Sequence, residues 1–208
     1  MKILAFAATN SSNSINRALI EFAAARFQSK MSQEAEVAFV NLTDFEMPIY
    51  SIDRERASGI PQAARSFFDT IGAADAVLVS FAEHNGTVTS AWKNLFDWMS
   101  RIDMKVWQNK PVVFLAATPG PRAGAGVLGH QAQLAPFFGA DLRGVQGIGT
   151  WGEAGMPTPH RSPAPRTSRR WTPPSRRWSR SRRKKERPHE PEVTRAEACH
   201  RWWRLPGQ

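Results

Sequence analysis

Cysteine is nearly absent: the 208 residues hold one, Cys199. A lone cysteine permits no internal disulfide and no cysteine-built metal centre. The shortage suits a reducing compartment, and the expected location is cytoplasmic. Long apolar runs are missing too, since none approaches the roughly 20 residues that a membrane helix needs. The N-terminal stretch Ile3–Ala8 is too short for an export signal and breaks into Thr9-Asn10-Ser11-Ser12, so it reads as a buried strand. No Ser-His-Asp spacing, metal-ligand cluster or carboxylate pair stands out, and the protein's own side chains announce no hydrolytic or metal chemistry.

What is present divides in two. Thirteen basic and thirteen acidic residues lie between Met1 and Thr150, so this part is neutral. Residues 151–208 hold fifteen basic and five acidic residues, which is the whole net charge of +10, with nine of the fifteen prolines and five of the eight tryptophans. Residues 1–150 therefore read as one globular domain with enough chain for a full core. Residues 151–208 read as a disordered, basic Arg/Pro/Trp-rich tail.

Within the neutral part the hydrophobic period alternates between strand and helix. Lys2–Ala8 is a continuous apolar run, as expected of a strand covered on both faces. From Ser14 the period becomes helical, with Ile15, Leu19, Phe22, Ala23 and Phe27 on one face. Glu36–Leu42 is the next strand. A loop with Pro48 and Tyr50 follows, then a helix over 61–72 with Pro61 in its first turn. Asp75–Ala82 is a strand, 87–101 a helix, Pro111–Thr118 a strand, 126–138 a helix and Asp141–Gly149 a strand. Five strands alternating with helices over short connections imply a parallel sheet covered on both faces, an α/β three-layer sandwich. Ligands of such sheets bind beyond the carboxyl ends of the strands, where the strand order reverses.

That rule directs attention to three loops. The first, Thr9–Asn16, gathers the hydroxyls of Thr9, Ser11, Ser12 and Ser14 at the start of a helix, where free amides and the helix dipole favour an anion. With no lysine or arginine before Arg17, it suits a phosphate monoester held by neutral donors. The same serines could equally be ordinary helix caps. The second loop runs from Phe81 through the Asn85-Gly86 turn, with Thr87 and Thr89 placed to cap the next helix. Trp92, Leu95, Phe96 and Met99 share a face of that helix, and Trp92, Phe96 and Trp98 read as core. Lys93 and Asp97 are spaced for a surface ion pair. The third loop is Thr118-Pro119-Gly120, with Gly124 and Gly126 beyond it.

Here the chain resembles a known family, the NADPH-dependent FMN reductases of flavodoxin-like fold. Their Pro-Glu-Tyr-Asn-Gly motif is similar to Ala82-Glu83-His84-Asn85-Gly86, and their Leu-Lys-Asn-x-x-Asp-Trp helix to Trp92–Trp98. Their Gly-Ser-x-Arg-x-x-Ser-x-Asn loop aligns with Ala8–Asn16, keeping Ser14 and Asn16. Their Ser-Pro-Gly loop aligns with Thr118-Pro119-Gly120. The departures are Ala82 for proline, His84 for tyrosine, Ser11 for arginine and Ala8 for glycine. Histidine offers a flavin less stacking area than tyrosine does.

The resemblance implies a five-stranded parallel sheet in the order 2-1-3-4-5 that binds FMN. Thr9, Ser11, Ser14 and Asn16 would hold the phosphate. Glu83, His84, Asn85, Gly86 and Thr87 would meet the ring, and Thr118, Pro119, Gly120 and Gly124 would close the other side. The flavin carries the redox chemistry, so no side chain is assigned as catalytic. NADPH or NADH would be the co-substrate, with electrons passing to a small-molecule acceptor such as free flavin or a quinone. A homodimer or homotetramer is expected, without a membrane. The alternative is a flavodoxin-like binding module whose basic arm engages nucleic acid.

The tail supports two readings. Its run from Arg176 to Arg187, with Trp171 and Trp178 available for stacking, fits a nucleic-acid-binding arm. Arg-Pro-Ser-Trp bias is also what a GC-rich gene yields out of frame. Regrouping each codon's third base with the next two turns Trp171-Thr172 into aspartate and, with GC-rich third positions, Arg170–Arg187 into an amphipathic helical pattern. Prolines at 157, 159, 163, 165, 173 and 174 forbid a continuous helix after the fifth strand. Strand one and the Val145 and Ile148 positions of strand five are then expected to show apolar surface, leaving a marginally stable or aggregation-prone protein.

Overall fold

The computed structural model describes residues 1–30 and 34–156. The tail readings, nucleic-acid arm and shifted frame alike, lie outside the described residues. The elements in order are β1 (Lys2–Ala8), α1 (Ile15–Lys30), β2 (Glu36–Val40), a 3₁₀ turn (Leu42–Phe45), α2 (Ile52–Ser58), α3 (Gln62–Ala73), β3 (Ala76–Phe81), α4 (Ser90–Ser100), β4 (Pro111–Ala117), α5 (Ala125–Leu134) and β5 (Asp141–Ile148). The strands form one parallel sheet in the order β2-β1-β3-β4-β5. The parallel pairing is what the alternating periods imply, and the strand order is the one that the resemblance implies. None of the helices described is long and apolar enough to cross a membrane.

The two faces of the sheet are covered unequally. On one face, α3, α4, α5 and the 3₁₀ turn pack Phe67, Ile71, Trp92, Leu95, Met99 and Val127 against Leu4, Phe6, Val79, Phe81, Val112 and Phe114. Edge-to-face aromatic pairs fill it, with Phe6 on Phe67 at 5.2 Å and Phe81 on Phe114 at 5.1 Å between ring centroids. Trp92 and Trp98 are buried, as expected of core residues. Lys93 pairs with Asp97 at 2.7 Å on the surface. The other face carries α1 alone among the described elements, with Ala18, Leu19 and Ile20 resting on Leu115, Ala117 and Trp151.

That asymmetry corrects two expectations. The buried side of α1 includes Asn16, Leu19, Ile20 and Ala24, whereas Phe22 is 39% exposed. Phe22 and Phe27 instead line a groove beside the helix with Leu115, Ile148 and Met156. Among the described residues α1 has no helical neighbour on its sheet face, and its second apolar stripe lies on the flank left there. Strand one does not show apolar surface: it is bracketed by β2 and β3, and Ile3, Leu4, Ala5 and Phe6 are buried. Val145 is 44% exposed, but it pairs with Phe114 and so lies on the face opposite α1. Sequence periodicity also passes over α2, a seven-residue helix with no buried residue, capped where the Ser51 hydroxyl accepts from the Arg54 amide. With no apolar stripe, it leaves no periodic signal to read.

Candidate functional site

The three loops converge at the carboxyl ends of β1, β3 and β4, and each pair of loops is tied by one side chain. Asn16, 3% exposed, ties the first to the third: its Oδ1 accepts from the Ala117 amide at 2.8 Å and its Nδ2 donates to the Ala117 carbonyl at 3.0 Å. The same Oδ1 accepts from the Ser80 hydroxyl of β3 at 2.7 Å. Thr89 ties the first to the second, donating to the Ala8 carbonyl at 2.9 Å while capping α4 through the Trp92 amide. Glu83 ties the second to the third, with Oε1 accepting from the Val127 amide of α5 at 3.0 Å.

The first loop has the makings of an anion cradle. Thr9 is buried, and its hydroxyl accepts from the Ser11 amide. Ser14 caps α1, its hydroxyl accepting from the Asn16 amide and its carbonyl from those of Arg17 and Ala18. The amides of Ser12, Asn13, Ser14 and Ile15 donate to no acceptor among the described residues. No acidic residue stands in the first turn of α1, so the positive end of its dipole is uncompensated there. The Ser11 and Ser12 side chains are exposed on the rim.

The second loop is a tight reverse turn. His84 and Thr87 exchange backbone hydrogen bonds of 2.9 and 3.1 Å, and Asn85 and Gly86 between them have φ of 52° and 80°. Positive φ at both central positions defines a type I′ turn, which Asn-Gly adopts readily. His84 to Thr87 are all exposed, forming a platform at the edge of the corner. Opposite, Thr118 is buried and donates to the Gly120 carbonyl at 3.0 Å, leaving Pro119 and Gly120 exposed. Gly124, at φ 70°, starts α5. All thirteen residues singled out by the sequence therefore belong to these three loops. The side chain of Asn16 is spent on other protein groups, and that of Glu83 is turned onto α5.

No dinucleotide fingerprint is expected, and NAD(P)H is expected in the open cleft, yet Gly124-Ala125-Gly126-Val127-Leu128-Gly129 has the spacing Gly-x-Gly-x-x-Gly between β4 and the start of α5. The geometry gives it another use. A Cβ on Gly126 would lie 2.7 Å from Glu83 Oε1 and 2.8 Å from the Gly86 carbonyl, whereas nothing lies within 4 Å of Gly129. The second glycine admits the neighbouring turn, and the Glu83 carboxylate holds the helix start where a pyrophosphate would need donors.

Two features flank the corner. On its β2 side a cleft of about 870 Å³ opens beside Thr9–Ser12, between α1 and β2. Beneath α4, the Asn94 and Trp98 side chains donate to the Pro48 carbonyl, and Tyr50 stacks edge-on to Trp98 at 5.0 Å. The Tyr50 hydroxyl donates to Glu55, which also receives Arg101 at 2.9 Å. Burial and that hydrogen bond raise the Tyr50 pKa, and the Glu55 contact raises that of Arg101.

The family model of NADPH-dependent FMN reductases matches residues 1–145. A quinone reductase of Escherichia coli (strain K12) is 30% identical over 95 residues, 46% of this chain and 50% of its own. An NAD(P)H-dependent FMN reductase of Pseudomonas aeruginosa is 30% identical over 139 residues, 66% of this chain and 71% of its own. The chain thus spans about half the length of the quinone reductases it matches. Among solved structures, the flavoenzyme NAD(P)H:(acceptor) oxidoreductase FerB of Paracoccus denitrificans superposes with a TM-score of 0.53 at 23% identity. That match covers 68% of this chain and 74% of FerB, and it shows a shared fold.

Proposed function

The chain belongs to the NADPH-dependent FMN reductase family, and from that premise we propose that it is an FMN-dependent NAD(P)H oxidoreductase acting on a small-molecule acceptor such as a quinone or free flavin. The observation that carries the reading is the corner of three tied loops with an uncommitted amide cradle on one side. A phosphate monoester fits the Ser12–Ile15 amides, with the rim hydroxyls of Ser11 and Ser12 as further neutral donors. Thr9 and Ser14 shape that cradle, and Asn16 holds it against β3 and β4. The exposed His84–Thr87 turn and Thr118–Gly120 form the walls for a flat ring, and Gly124 fixes the second wall to α5.

FMN held there would supply the redox chemistry between NAD(P)H and the acceptor. The chain's part is to seat the phosphate, orient the ring and leave one ring face open to both partners in turn. We also propose that two or four copies assemble, because Ile49 and Ile52, 74% and 45% exposed, present apolar surface that a second copy would cover.

Purified protein should be yellow, or turn yellow on addition of FMN, and should oxidise NADPH or NADH only with flavin present. Colourless protein with no flavin-stimulated turnover would refute the reading. Comparing kcat/KM for a benzoquinone and for free FMN identifies the acceptor class.

A further inference from the structure

The loop Thr9–Asn16 leaves β1, which lies between β2 and β3 in the sheet. A group attached to a phosphate held there can extend in two directions. Toward β3 and β4 lies the corner already described. Toward β2 lies the cleft of about 870 Å³, which shares Thr9 to Ser12 with the cradle. α1 leaves β2 uncovered on this side. Phe39 pairs with the buried Ala5 and lines the cleft, yet remains 40% exposed. Asn41, Thr43 and Asp44 follow at the carboxyl end of β2, all exposed on the rim.

An aromatic face, hydroxyl and carboxylate acceptors, and an anion cradle joined to them form the set that recognises an adenylate: a base to stack, a ribose to hydrogen-bond and a phosphate. Asp44 favours a free ribose 2′-hydroxyl and repels a 2′-phosphate. Among the described residues one arginine lines the cleft, Arg17, which is paired with Glu21 at 3.1 Å and offers a 2′-phosphate little. The other helix start in the corner is held by Glu83.

We propose that this cleft is a subsite for the adenylate half of a dinucleotide with a free 2′-hydroxyl. Two sources share that chemistry: FAD, whose adenylate continues from the flavin phosphate, and NADH. The placement of the phosphate rests on the flavin reading above.

The test is calorimetric titration of the full chain and of Phe39→Ala and Asp44→Ala, with far-UV circular dichroism confirming that each folds. Apoprotein receives FMN or FAD, and FMN-loaded protein receives ADP-ribose or its 2′-phosphate. If the adenylate is that of FAD, FAD binds at least as tightly as FMN, and Phe39→Ala weakens FAD about tenfold. FMN should then change by less than about twofold. If it is that of NADH, FAD gains nothing over FMN. ADP-ribose then binds the loaded protein better than its 2′-phosphate and loses about tenfold in Phe39→Ala. The proposal is overturned if neither FAD nor ADP-ribose responds to either substitution, or if FMN weakens as much as FAD. Wild-type protein that binds neither flavin would refute the flavin reading. ADP-ribose titrated into that unloaded protein would still decide the subsite.

Discussion

The carboxamide of Asn16 satisfies three buried groups at once: the Ala117 amide, the Ala117 carbonyl and the Ser80 hydroxyl. Asn16→Ala would orphan all three, and Asn16→Asp would turn an oxygen toward the Ala117 carbonyl. Unsatisfied buried groups cost about 1–3 kcal/mol each, partly relieved by relaxation, so a loss of about 2–3 kcal/mol is expected for either change. The urea midpoint at unchanged slope measures it, and a shift worth under about 0.5 kcal/mol would show that the tie is dispensable. Tyr50 is the only tyrosine, so absorbance of tyrosinate near 295 nm reports on it alone. Its pKa is raised by burial and by the hydrogen bond to Glu55, so ionisation should begin above the ordinary value of about 10. A raised pKa means that the folded state holds the proton more tightly. This contribution to stability is full below the ordinary pKa and fades as pH rises through the raised one. Glu55→Gln should lower the titration midpoint; an unchanged midpoint would assign the shift to burial alone.

At the scale of elements, the site depends on how α5 begins. Gly124 has no side chain with which to cap it, and Glu83 does so from 44 residues away in sequence. Glu83→Ala should therefore speed hydrogen exchange at the Val127 amide and loosen the 118–124 loop against the 84–87 turn. Glu83→Gln, which keeps an oxygen acceptor, should restore most of the protection. Equal exchange in the alanine and glutamine variants would mean that packing around Gly126 holds the two loops by itself. The sequence pattern located both loops through their turn residues. It was silent about the tie, because nothing local couples position 83 to position 127. The same limit explains the Gly-x-Gly-x-x-Gly run, whose spacing implies a pyrophosphate site until Glu83 is seen at the helix start.

For the whole molecule, the unequal covering of the sheet is the dominant fact. Three helices cover one face, and α1 alone covers the other among the described residues. A helix is about 10 Å wide and a five-stranded sheet about 19 Å. The open flank of α1 is a groove with a volume of about 460 Å³ beside Phe22, Phe27, Leu115 and Ile148. In the buried cluster under α1, Trp151, 5% exposed, has an indole N–H with no partner among the described residues. If the flank is open in solution, Phe22→Glu should alter stability by no more than about 0.5 kcal/mol, or about 2 °C in Tm, and improve solubility. A fall of many degrees would mean that chain beyond Met156, or a second copy, lies on Phe22 in the native protein.

By itself the sequence determined the strands, their parallel pairing and the three loops, because a hydrophobic period of two or 3.6 and a Gly, Asn or Pro at a turn act over a few residues. The stretch 9–16 was legible as a cluster of hydroxyl residues at a helix start for the same reason: that is a local pattern. Tertiary structure decided what those residues touch. It turned Asn16 inward onto β3 and β4, turned Glu83 onto α5, put Phe22 on the outside of α1 and left Phe39 40% exposed on β2. Each of these outcomes depends on which element lies alongside, and in a parallel sheet the neighbours across the carboxyl edge come from segments dozens of residues apart.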